Sequence, residues 1–282
     1  MDIITDIDNI QTDIKSGSFP FLIVESNNIK YQVKLPNYMT SSMINEYIAH
    51  KIANNLSCVV PKGVFIKFET SDIEDSIEHI LIEEKYKALF IDYDINSLKN
   101  INGEIILYGI EWISNKLHAE DSLEFIEYMK LTNTDDFYSI YSYDLYLHNH
   151  DRHLKNLLFY QNDLGSYVTI LIDHDRIFGT NEGIKRITEL ESNFDCLKNS
   201  SNAYLYNFIT TDKQKLSIMQ YSYDIANLED SIIEDIFIDY LKNCNHNILQ
   251  FNDVKEYIKK FLLIRKNNIV DACKIHEGNC YG

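Results

Sequence analysis

Nine consecutive residues, HNHDRHLKN from His148 to Asn156, hold three imidazoles, one carboxylate, one guanidinium, one ammonium and two amides. After them come NLLFY and YVTILID, two apolar β-branched and aromatic runs separated by QNDLGS, which predicts an antiparallel hairpin. With the turn centred near Asp163 and Leu164, Asn156 lies about as far before it as Asp173 lies after it. The hairpin therefore brings Asn156 and Asp173 to one end, and Asp151, five residues before Asn156, hangs off that same end. Two carboxylates and one amide oxygen form a set that a hard cation such as Mg²⁺ accepts when nucleotide phosphates complete its octahedron. One carboxylate is then left to orient an attacking hydroxyl.

The preceding elements must carry whatever else the site needs. Residues 19 to 35, FPFLIVESNNIKYQVKL, read as two strands joined at ESNN, with Lys34 near the end of the second. SSMINEYIAHKIANNL then places Met43, Ile44, Tyr47, Ile48, Ile52 and Leu56 at helical spacing, with Glu46 one turn in. CVVPKGVFIKF returns as a strand interrupted by Pro61 and Gly63, so residues 19 to 68 form a strand, strand, helix, strand unit. Between residues 69 and 116, IEHILIEEKYKALFI and GEIILYGIEWI are apolar runs that fit strand or helix. Helix predominates from about Asp121. TDDFYSIYSYDLYL, with Phe137, Ile140, Tyr141 and Leu145 on one face, leads straight into His148, and LEDSIIEDIFIDYLKNC and VKEYIKKFLLIRKNNIVDAC are long amphipathic helices.

Composition limits the classes of partner. The 282 residues, 45% hydrophobic, suffice for one sizeable domain or two lobes around a cleft. Against 26 basic side chains stand 43 acidic ones, a formal charge of -17, so the long-range field repels nucleic acid and anionic membranes. The acidic N-terminus MDIITDIDNIQTD and the lack of a long apolar run predict neither a signal peptide nor a membrane span, hence a cytoplasmic protein. Cys58, Cys196, Cys244, Cys273 and Cys280 are scattered and never spaced C-x-x-C, which argues against a disulfide framework or a zinc ribbon.

The loop NHDRHLKN resembles the catalytic loop of HipA-like kinases, N-x-D-[RG]-H-x-x-N, a pattern shared in outline with phosphatidylinositol kinases. LIDHDRIF is similar to the segment that follows that loop in short bacterial HipA-like proteins; YQVKL resembles the family's strand lysine, INEYIAHKIANNL its glutamate helix and FLLIRKNNIVDAC its closing helix. The resemblance covers most of residues 16 to 273. It implies an α+β, two-lobed protein-kinase-like fold, with a small β-rich N-lobe over 1–116 and a larger, mainly helical C-lobe over 117–282. The implied activity is transfer of the γ-phosphoryl group of Mg·ATP to a hydroxyl acceptor, a Ser or Thr on a protein, with an antitoxin-like partner as a further implication. By the same likeness Asp151 is catalytic, Asn156 and Asp173 hold Mg²⁺, Lys34 contacts phosphate, and Glu46 orients Lys34; His153, counted with Asp151 among the catalytic residues, is read as bracing the loop from within. Such a lysine–glutamate pair, if partly exposed, contributes at most about 1 kcal/mol to folding.

The chain departs from ordinary kinases before Lys34, where SGSFPF has the single Gly17 in place of G-x-G-x-x-G; backbone N–H groups at Ser16, Gly17 and Ser18 are then the phosphate contacts. Asp175, two residues after Asp173, is a competing metal carboxylate. Two alternatives follow from the same residues. A nucleotide-binding pseudokinase or interaction module fits the thin glycine loop. A zinc metallo-hydrolase fits His148, His150, Asp151 and His153, which approximate H-x-H-x-D-H with the acid one place early.

Overall fold

The computed structural model describes residues 3–13, 20–35, 42–56, 58–90, 93–113, 117–118, 135–161, 167–178, 194–198, 211–244 and 248–279. Ser16, Gly17 and Ser18 lie outside these residues, as does the hairpin turn at 162–166.

The strand pair read around ESNN is β3 (Phe21–Ser26) and β4 (Ile29–Lys34). Asn27 and Asn28 both take positive φ, 52° and 62°, the two-residue turn whose twist matches that of the strands. Two short strands precede them, β1 (Ile3–Ile4) and β2 (Asn9–Asp13). With β5 (Gly63–Phe68) and β6 (Ile105–Glu111) they form a curled six-stranded sheet in the order β1-β5-β6-β4-β3-β2. Strand β6 is buried from Ile105 to Ile110 because both of its faces are covered. Of the two ambiguous runs, the second is thus a strand, while the first belongs to helices α2 (Thr70–Leu81) and α3 (Glu84–Phe90).

Helix α1 (Ser42–Asn55) packs under this sheet, with Met43, Tyr47, Ile48, Ile52 and Leu56 all buried as their spacing predicts. In the other lobe, α4 (Asp135–Leu147) is buried continuously from Ile140 to Leu147 rather than along one stripe, since α5 (Asp212–Ala226) and α8 (Ile248–Asn279) enclose it. The segment LEDSIIEDIFIDYLKNC is not one helix. It breaks into α6 (Asp230–Glu234) and α7 (Ile238–Asn243), joined where Ile236 and Phe237 bury their side chains.

A three-stranded sheet, β7 (Leu117–His118), β8 (Leu157–Gln161) and β9 (Tyr167–Leu171), carries the predicted hairpin. The β8–β9 register pairs Leu157 with Leu171, so the next position pairs Asn156 with Ile172, whose N–H donates to Asn156 O at 3.2 Å. The hairpin thus sets Asn156 opposite the residue just before Asp173. The two lobes touch through buried hydrogen bonds, from Tyr143 OH to Ala49 O at 2.7 Å and from Leu171 N to Val59 O at 3.0 Å. No described helix is long and apolar enough to cross a membrane.

Candidate active site

Lys34, at the end of β4, extends its ammonium into the seam between the lobes. There it meets Glu46 Oε1 of α1 at 2.8 Å, Asp173 Oδ1 at 2.6 Å and, further off, Asp175 Oδ2 at 3.9 Å. Burial pulls the Lys34 pKa down, but the carboxylates of Asp173, Glu46 and Asp175 outweigh it, and the ammonium stays charged well above its usual range. Glu46 is likewise pushed up by burial and pulled further down by Lys34 and then His174, so it stays ionised. The side chains of Lys34 and Glu46 are only 17% and 4% exposed, which replaces the partly exposed pair expected from the sequence with a largely buried one.

Asp173 sits at φ 56°, a left-handed backbone that Asp tolerates better than most residues. From there His174 N donates to Glu46 Oε1 at 2.8 Å, and Asn45 Nδ2 of α1 holds the Asp175 carbonyl at 2.6 Å. Burial pushes the Asp175 carboxyl up to about 6, Lys34 opposing and Asp173 reinforcing the shift.

The loop before β8 is set by the end of α4. His148 N bonds Leu145 O at 3.3 Å and Asn149 N bonds Asp144 O at 2.9 Å, with His148 at φ 55°: the capping geometry in which glycine usually supplies the left-handed residue. Arg152, fully buried, then pairs with Asp144, its Nε 3.1 Å from Oδ2, and its Nη1 donates to Asn156 O at 3.1 Å and Ile172 O at 2.8 Å. One guanidinium therefore fastens the helix, the loop and both strands of the hairpin. Asn149 Oδ1 accepts from Asp151 N at 3.1 Å, and Asn156 Nδ2 donates to Asp151 O at 2.9 Å, which fixes the backbone on both sides of the Asp151 carboxylate. That carboxylate lies 3.3 Å from Arg176 Nε.

The sequence-predicted residues are thus distributed as follows in space. Lys34, Glu46 and Asp173 converge on one ammonium; Asp151 and Asn156 share a loop whose hairpin leads to Asp173. His153 belongs to the same loop through its carbonyl, which accepts from Asn156 N at 2.9 Å, while its buried Nδ1 has no hydrogen-bond partner; the side-chain bonds that fasten this loop come from Arg152. With its nitrogen donating, Asn156 offers an oxygen, and Asp173 and Asp175 add carboxylates: an all-oxygen donor set that suits Mg²⁺ rather than a softer metal. The zinc reading of His148, His150, Asp151 and His153 is corrected. Among the described residues these side chains do not form a metal-ligating group.

Spacing gave no hint of Asp144, Arg176, His50 or Tyr108. Asp144 did carry a mark, as a carboxylate set among Tyr143, Leu145, Tyr146 and Leu147; such a group needs a buried partner.

No protein-family model and no curated protein matches the chain in sequence. Among solved structures, the crystal structure of the proinflammatory kinase CtkA of Helicobacter pylori is similar over 100% of both chains, with a TM-score of 0.54 and 15% sequence identity. At that identity the likeness concerns the fold, which is kinase-like, α+β and two-lobed.

Proposed function

We propose that this chain is an ATP-dependent kinase that transfers the γ-phosphoryl group to a Ser or Thr hydroxyl of a cytosolic protein. The observation that carries the reading is Lys34 held at once by Glu46 and Asp173, at 2.8 and 2.6 Å, on three separate elements. An ammonium aimed into a cleft by a buried carboxylate is a phosphate-binding group, and the carboxylate on its other side is free to exchange it for a metal ion. In this reading residues 1–116 form the nucleotide-binding lobe and 117–282 the lobe that carries the catalytic loop. Mg²⁺, when bound, neutralises charge on the phosphates. Asn156 and Asp173 supply its protein oxygens, with Asp175 beside them; Lys34 meets phosphate oxygens; the backbone at Ser16, Gly17 and Ser18 covers the phosphates. Asp151 accepts a hydrogen bond from the acceptor hydroxyl and holds that oxygen in line for attack. The acidic chain favours encounter with a basic acceptor protein, and an antitoxin-like partner remains part of the proposal.

The test is incubation with labelled ATP and Mg²⁺, alone and with a cell lysate, followed by mass spectrometry of phosphorylated sites. Asp151→Asn is expected to lower transfer at least a hundredfold, about 3 kcal/mol of transition-state stabilisation, with Mg·ATP affinity nearly unchanged. Asp173→Asn is expected to lose nucleotide and turnover together. Mg·ATP binding without transfer in the native chain would mark a pseudokinase, and full activity in Asp151→Asn would remove this loop from the mechanism.

A further inference from the structure

Behind the lysine pair lies a second cluster. Helix α1 places His50 one turn after Glu46, and His174 follows Asp173 from the other lobe; all three side chains are buried. Among the described residues this is the one group of His, Cys, Asp and Glu able to hold a metal ion, with one donor atom from each within 4.8 Å of the others. His174 Nδ1 is 3.2 Å and His50 Nε2 3.7 Å from the same oxygen, Glu46 Oε2. Ligands of a tetrahedral zinc ion lie about 3.3 Å apart, so each of these two separations is within a few tenths of an ångström of that value.

Two further observations point the same way. His50 Nε2, the ring nitrogen that faces Glu46 Oε2, is buried with no hydrogen-bond partner, an unfavourable condition in the core. His50 Nδ1 is meanwhile held by Tyr108 OH at 2.8 Å, the outer contact that orients a metal-binding imidazole. Gly63 makes this contact feasible: a Cβ there would stand 1.7 Å from Tyr108 OH.

We propose that Glu46, His50 and His174 form a binding site for Zn²⁺ or a similar borderline cation, which fastens α1 to the segment after β9 and so clamps one lobe to the other. The two imidazoles and one carboxylate select against Mg²⁺. Glu46 serves both sites, Oε1 on Lys34 and Oε2 on the metal. Charge balances locally: the dication and Lys34 carry three positive charges, and Glu46, Asp173 and Asp175 carry three negative ones. The site is distinct from the oxygen donors assigned to Mg²⁺ and does not depend on kinase activity.

The full chain, freed of any affinity tag and stripped with a chelator, is titrated with Zn²⁺ against a competing chromophoric chelator, and separately with Co²⁺, without nucleotide. One equivalent of metal, a raised thermal midpoint and visible Co²⁺ bands of a four- or five-coordinate nitrogen and oxygen site are expected. Excess Mg²⁺ should displace none of it. His50→Asn keeps an amide for Tyr108 and removes Nε2, and should weaken binding at least a hundredfold; if that variant does not fold, Tyr108→Phe should weaken it ten- to hundredfold. No binding by the native chain, or native affinity in whichever variant folds, overturns the site. A chain that binds zinc but transfers no phosphate defeats the kinase reading alone; the converse defeats only this one.

Discussion

Asp175 shows how one carboxyl can make stability depend on pH. Burial pushes it up to about 6 from an unfolded value near 3.8, so the native state holds its proton more tightly than the unfolded chain does. The sign follows from linkage: between about pH 4 and pH 6 this group lowers stability as pH rises, and above that window its cost is constant. Asp175→Asn removes the cost. Urea unfolding should find the variant more stable than the parent at pH 7, by roughly 3 kcal/mol at most, and equal to it near pH 4. Equal stability at both values would mean that Lys34 compensates Asp175 fully. At this scale the sequence exposed those residues whose partners are near in the chain or mirrored across a turn: Asp151, Asn156 and Asp173. It concealed His50 and His174. His174 meets Glu46 only across the fold, and a histidine at i+4 from a glutamate on an apolar helix looks like any core histidine.

Among the elements, the hairpin was the most legible, because a period of two and a polar turn leave few registers, and the observed one lies one position from that read from the turn. The helix with Glu46 was legible for the same reason, a regular stripe. Strands β1 and β2 were not, since β1 is only two isoleucines long and β2 is a short, mostly polar run, and the break between α6 and α7 comes from burying Ile236 and Phe237 rather than from a breaker residue. The connection of α4 to the hairpin rests on Arg152, whose donors reach Asp144 and the carbonyls of Asn156 and Ile172. Arg152→Met leaves the Asp144 carboxylate buried without its cation and two carbonyls without a donor. A loss of about 3–5 kcal/mol is expected by chemical denaturation. Adding Asp144→Leu should recover much of it, while the loop backbone stays loose because the carbonyl contacts are not restored. If the double variant is as unstable as the single one, the carbonyl contacts outweigh the ion pair.

For the whole molecule, the two-lobed architecture was implied by the family resemblance of the catalytic loop, while composition alone left one domain or two lobes open, and the way the lobes close was not legible. Closure places three carboxylates, Glu46, Asp173 and Asp175, around the single ammonium of Lys34, and contributes two of them from the lobe opposite the lysine. Lys34→Met keeps the length of the side chain and removes its charge. Glu46, 4% exposed, then faces two neighbouring carboxylates without a counter-ion, and a loss of about 3–5 kcal/mol is expected, of the order of ten degrees in thermal midpoint for a chain of this size. The pH dependence gives the mechanism away. In the native chain Glu46 is held down by Lys34 against its burial, so its contribution is present above about pH 4.5 and is lost as pH falls. In the variant Glu46 takes up a proton more readily, and the deficit relative to the parent should shrink steadily from pH 7 to pH 4. Hydrogen exchange should locate the damage: faster exchange in α1 and in residues 172–178, on the two sides of the seam, with protection retained through residues 254–273 of α8. Uniform loss of protection, or a deficit that does not change with pH, would mean that Lys34 stabilises the fold by packing and not by holding the lobes together through charge.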